Sequence, residues 1–198
     1  MFRRSNSIET ITLLVFACLF ALGALHIVGC SQEKQSPPKP TVRTTPTTTA
    51  VEEKPKVDLH NTIAVLETSK GTIEIEFFAD DAPKTIENFL KNVRLEYYKN
   101  GEFHRVEPGR IIQAQARFAI EETIPIEKGE QQPVKGVVAM AKAQGATVSD
   151  AAQFFICLDT VELDSDYTLF GKVVKGLDVI DKIEVGDKII SATTRDKG

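Results

Sequence analysis

The chain has 198 residues and a formal net charge of −4, with 42% hydrophobic and 26% charged residues. That balance is ordinary for a globular protein and excludes a wholly disordered chain, a collagen-like repeat and a polytopic membrane protein. From residue 61 onward, 17 basic residues stand against 23 acidic ones, a net of −6. No basic stripe is available for phosphate backbones, and no nucleic-acid partner is expected.

Arg3 and Arg4 precede an uncharged apolar run at 11–28 that ends in Gly29-Cys30. A basic start, an apolar middle and small residues at the end mark 1–30 as a signal or anchor segment. Ile27-Val28-Gly29-Cys30 resembles a bacterial lipobox, whose cysteine is lipidated and becomes the new N-terminus, so Cys30 is the expected lipidation site. The alternative is an uncleaved anchor, since such a run is just long enough to cross a bilayer. Either way the rest of the chain is expected in the cell envelope, tethered to a membrane and facing the periplasm or another extracytoplasmic space. Residues 31–58 hold five of the nine prolines and a run of threonines, and read as a disordered linker. Residues 59–198 are then one domain. Its only cysteine is Cys157, so it must be held by its core rather than by a disulfide.

Segments 62–68 and 72–78 alternate apolar and polar residues around Ser69-Lys70-Gly71, the pattern of a hairpin. Asp81-Ala82-Pro83 opens a helix, with acid near the dipole's positive end and Pro83 in the first turn, where no amide is needed. Ile86, Phe89, Leu90 and Val93 fall on one face of it, which should pack on a sheet. Short strands follow at 102–106, 110–115, 136–142, 153–158 and 170–174, then a short helix at 177–183 and a last strand near 189–194. Many short strands with two helices suggest an all-β-dominated, closed antiparallel barrel with helical caps. Pattern alone leaves barrel and sandwich nearly level.

Conventional catalysis has little to work with. No second His or Cys stands at ligand spacing to His104, so no metal or haem site is expected. There is no Gly-rich phosphate loop and no GxSxG elbow. One cluster stands out. Phe103-His104-Arg105-Val106 passes through a Pro108-Gly109 turn and returns as Arg110-Ile111-Ile112-Gln113. With a period of two, Phe103 and Arg105 share a face, as do Ile111 and Gln113, and as do Gln153 and Phe155 further on. Arg105, Gln113 and Gln153 around Ile111 and Phe155 make an apolar hollow rimmed by donors, suited to a small ring joined to an amide. On periodicity alone, a plain strand face with a snorkelling arginine is the simpler account.

The strings LETSKGTIEIEFF, APKTIENFLKN, FHRVEPG, VVAMAKA, QFFICL and FGKVVKGLDVIDKI resemble, in this order, the cyclophilins, peptidyl-prolyl cis-trans isomerases. They span nearly all of 62–184. The resemblance implies an eight-stranded antiparallel β-barrel capped by two α-helices. It implies that Arg105 is the catalytic arginine and Gln113 its neighbouring donor. It places Ile111, Phe155 and Leu163 in a proline pocket, with Ala141, Lys142, Ala143 and Gln153 along a peptide groove. Tyr167 takes the place of a histidine usual at the pocket edge, and Phe103, on the Arg105 face, is counted with the substrate-binding residues. The implied substrate is a proline-containing polypeptide, no cofactor is needed, and the domain is expected to be monomeric.

The chain also departs from the family pattern. Arg110 stands where an aromatic pocket residue is usual, Ala114-Gln115-Ala116 replaces Gly-Gly-Asp, and Glu162 replaces an aromatic. The stretch 117–135 is short and lacks a glycine-rich loop. Arg110 suggests a preference for acidic residues near the proline. Two functions therefore stand side by side. One is an active isomerase assisting the folding of exported proteins. The other is a cyclophilin-fold binding module with weak or no turnover, holding Xaa-Pro segments or docking to an envelope protein.

Overall fold

The computed structural model describes residues 57–163 and 166–198. The segment 1–30 with Cys30, and the linker as far as residue 56, lie outside the described residues. Among the described residues no helix is long and apolar enough to cross a membrane.

Eight strands close an antiparallel barrel. They are β1 (Thr62–Thr68), β2 (Gly71–Phe77), β3 (Gly101–Glu107), β4 (Ile111–Gln115), β6 (Val137–Met140), β8 (Gln153–Cys157), β9 (Leu169–Lys175) and β10 (Lys188–Asp196). Their order around the wall is β1-β10-β3-β4-β8-β6-β9-β2, so β1 bonds to both β2 and β10 and no edge is left open. The barrel, not the sandwich, is the outcome. Thr68 pairs with Gly71 across the first hairpin, as its turn residues predict. The β3–β4 turn needs Gly109, whose φ of +71° is disfavoured for other residues.

Strand alternation sorts the side chains into two clusters. Ile112, Ala114, Phe154, Ile156, Val138 and Met140 point inward and join the main core. Their neighbours Ile111, Phe155, Cys157 and Ala139 point outward and form a second apolar cluster on the wall with Ala141 and Val161. Burial pushes the Cys157 thiol up to about 11, as expected of a small buried hydrophobe rather than a reactive thiol.

Two helices pack on the barrel, α1 (Pro83–Arg94) and α2 (Leu177–Ile180). The α1 face of Ile86, Phe89, Leu90 and Val93 is buried, as the spacing requires. The expected acid at its N-terminus is not Asp81. That carboxylate accepts instead from Gln131 Nε2 at 3.0 Å. Glu127 reaches in from a distant loop and accepts from the amides of Lys84 at 3.1 Å and Thr85 at 2.8 Å. A carboxylate there satisfies amides that lack helical partners and complements the dipole. The stretch 117–135 also contains β5 (Thr123–Pro125), which pairs with β7 (Val148–Asp150) outside the barrel.

Ion pairs on the wall make stability acid-sensitive. Glu74 is held below the ordinary glutamate value of 4.5 by Arg195 and then by Lys175, and Glu102 is lowered likewise by Lys188. A carboxylate depressed in the folded state adds stability above its unfolded value and loses it as pH falls through the folded one. The melting temperature should therefore lose this contribution only below about pH 4.5, and Glu74→Gln should flatten the acid limb. An acid limb with the same slope in the variant would remove Glu74 from the account.

Candidate active site

One cross-strand row builds the site. Arg105 on β3 pairs with Gln113 on β4, Gln113 with Phe155 on β8, and Phe155 with Ala139 on β6. All four face outward, so the site lies on the outer wall. Beneath Arg105 is a hollow of about 80 Å³, well under the roughly 300–1,000 Å³ of a typical small-molecule site. It has room for one small ring. Ile111, Phe155, Leu163 and Tyr167 line it with Ala141, while Arg105, Gln113, Lys142 and Arg110 supply the polar rim. Tyr167 meets Phe155 edge to face with centroids 5.5 Å apart, and Lys142 Nζ lies 5.0 Å from the Tyr167 ring centroid.

Two larger depressions lie near the hollow. Leu163 and Tyr167 also wall a depression of about 290 Å³ with Lys128 and Pro133. Gln153, which accepts from the hollow's Gln113, walls one of about 380 Å³ with Phe118 and Asp150. Ala143 is exposed just past Lys142 and does not line the hollow.

Phe103 must be moved. The β3–β4 register steps from Phe103–Ala114 to Arg105–Gln113, which leaves His104 as an extra residue in a β-bulge. The bulge reverses the alternation, so Phe103 points into the core at 0% exposure while Arg105 points out. The two do not share a face, and Phe103 is a core residue rather than part of the hollow.

A chain of polar side chains fixes the rim. Arg105 Nη1 donates to Gln113 Oε1 at 3.3 Å, Gln113 Nε2 to Gln153 Oε1 at 3.1 Å, and Gln153 Nε2 to Asp150 Oδ2 at 2.8 Å. The far end is anchored to α1, where Asn88 and Asn92 both donate to the Ala151 carbonyl at 2.7 Å. At the near end Arg105 Nη2 pairs closely with Glu107 Oε1, and Arg110 Nη1 donates to Glu107 Oε2 at 2.5 Å. Arg110 above all holds the Glu107 carboxyl below its ordinary value; burial opposes it, and the bond to Arg105 adds to the lowering. Sequence reasoning missed Glu107 and Asp150. Both had a signal: Glu107 is two residues beyond Arg105 on the same strand, and Asp150 is three before Gln153.

The molecule is thus a closed antiparallel barrel that carries a small cation-rimmed apolar hollow on its outer wall. Residues 63–196 match the family model described as cyclophilin type peptidyl-prolyl cis-trans isomerase/CLD. The chain belongs to this family, and is a cyclophilin-type peptidyl-prolyl cis-trans isomerase. It is 37% identical over 142 residues to an Acinetobacter baylyi peptidyl-prolyl cis-trans isomerase, covering 63% of this chain and 73% of that one. A Synechococcus elongatus isomerase is 36% identical over 138 residues, covering 66% and 94%. The fold matches that of a Cryptosporidium parvum cyclophilin-type isomerase crystallised in the presence of the dipeptide Ala-Pro. That match has a TM-score of 0.61 at 23% identity, covering 68% of this chain and 99% of that one.

Proposed function

We propose that the chain exchanges the cis and trans forms of Xaa-Pro bonds in exported polypeptides, assisting their folding in the cell envelope, with Arg105 as the catalytic group. Amide resonance gives that bond a barrier of ~18–20 kcal/mol. Twisting the bond ends the resonance and localises a lone pair on the proline nitrogen. A guanidinium aimed at that nitrogen stabilises the twisted state more than either planar one, which is catalysis by differential binding. Ile111, Phe155 and Leu163 would grip the ring while Gln113 steadies the guanidinium and the preceding carbonyl rotates. The observation that carries this reading is the Arg105–Gln113–Phe155 row, which sets a fixed cation over a ring-sized apolar floor.

Exchange spectroscopy of Xaa-Pro peptides by NMR tests it with the purified chain and Arg105→Ala. Catalysed exchange that collapses in the variant supports Arg105 as the catalytic group. Peptide shifts without accelerated exchange would move the function to the binding module.

The envelope location rests on residues 1–30, with Cys30 as the lipidated residue and 31–58 as the spacer. Cells fed labelled palmitate should label the wild-type chain and not Cys30→Ser. A Cys30→Ser chain that stays in the membrane fraction at its precursor mass, beside an unlabelled wild type, would establish the uncleaved anchor instead.

A further inference from the structure

Glu107 has no place in the mechanism above, yet its carboxylate touches both arginines of the rim, one oxygen to each. Three cations, Arg105, Arg110 and Lys142, line the hollow, and among the described residues no carboxylate does. This is a positive hollow on a domain whose residues from 61 onward carry a net −6. Among the described residues Glu107 therefore supplies the negative charge bonded to both rim arginines, from the same strand as Arg105. The side chains of Arg105 and Arg110 are 51% and 52% exposed and that of Glu107 is 31% exposed, so a peptide at the hollow reaches both guanidiniums.

We propose that Glu107 is a specificity-determining residue, an internal counter-anion that occupies the place an acidic residue flanking the substrate proline would take on Arg110. The proposal deepens the isomerase reading and rests on it for its substrate class. An acidic flank must displace or share the Glu107 bond to Arg110, and gains only part of what a free guanidinium offers. A neutral flank meets no such competition. With the carboxylate in place, the site accepts varied sequences despite its three cations. Without it, acidic flanks are strongly preferred.

The test compares peptides in which Glu, Ala or Lys flanks the proline on both sides, by NMR titration for affinity and exchange spectroscopy for turnover. The full chain is used, as wild type, Glu107→Gln and Glu107→Gln/Arg110→Gln. The affinity ratio of Glu- to Ala-flanked peptide should rise about fivefold in Glu107→Gln, the scale of one half-exposed ion pair. The Lys-to-Ala ratio should fall, both effects should shrink in 0.5 M salt, and both should vanish in the double variant. A ratio that does not move, or a gain that persists without Arg110, overturns the proposal. If no peptide shows catalysed exchange but the affinity ratios shift as stated, the isomerase reading falls and Glu107 stands as the selectivity element of a binding module.

Discussion

Replacing Arg105 by alanine lowers kcat/KM for Xaa-Pro exchange by roughly 10–100-fold, the worth of one charge-assisted hydrogen bond made only in the twisted state. The loss should fall on kcat more than on peptide affinity, because the floor of Ile111, Phe155 and Leu163 is untouched. It should also leave the fold intact. The Arg105 side chain is 51% exposed, and its removal leaves Glu107 still paired with Arg110 and Gln113 still paired with Gln153. No buried polar group is stranded, so stability should change by within about 0.5 kcal/mol. Arg105→Lys keeps the charge but not the planar fork, and should recover only part of the rate. The wild-type profile should be flat between pH 6 and 8, because arginine stays charged there and Glu107 is held below its ordinary value by Arg110. A loss smaller than threefold in Arg105→Ala, or a sigmoid centred near pH 6.5, would transfer the chemistry to another group, with His104 first in line.

How much of this was legible follows from the range of each signal. The first hairpin and the buried face of α1 are short-range periodicities, and the sequence carries them openly. The cap on α1 joins Glu127 to Lys84 and Thr85 across some forty residues, and nothing near Asp81 announces that a distant acid will take its place. Strands β5 and β7 have three residues each, too few for alternation to register. The bulge at His104 is a more instructive miss. Alternation assumes one residue per position, so an inserted residue turns every later inference onto the wrong face, and no residue type there gives warning. Alternation placed Arg105 with Gln113 and Gln153 and the resemblance named them again, while the face shared with Phe103 was wrong. Glu107 was lost by one residue: a strand ending at Val106 makes it part of the turn, whereas β3 runs through Glu107 and keeps it beside Arg105. Six of the eight residues that line the hollow with Arg105 were anticipated as binding residues from the resemblance, Gln113 as a donor and Arg110 only as a departure from it.

Phe89→Ala should be the most damaging single truncation in the domain, at about 3–5 kcal/mol. Phe89 is fully buried on α1, where that helix meets the barrel. Its ring centroid lies 5.0 Å from that of Tyr98, 5.3 Å from Phe170, 5.5 Å from Phe154 and 5.9 Å from Phe77. Those four rings come from β2, β8, β9 and the segment before β3, so one side chain joins the helix to three walls of the barrel. Collapse around the void is restricted because each neighbour is itself anchored in a strand or a tight connection. Against a total stability of about 5–15 kcal/mol for a domain of ordinary size, the loss is a large fraction. Urea unfolding should show a lower midpoint with an unchanged m-value. Phe89→Leu, which keeps most of the volume, should cost clearly less. The effect should also reach the site. Asn88 and Asn92 flank Phe89 on α1 and hold the Ala151 carbonyl beside Gln153, so a loosened helix frees the far end of the polar chain that steadies Arg105. Residual exchange activity in folded Phe89→Ala should therefore fall with a smaller change in peptide affinity. A destabilisation below about 1 kcal/mol would mean the cavity refills, and full activity at that point would separate α1 from the site.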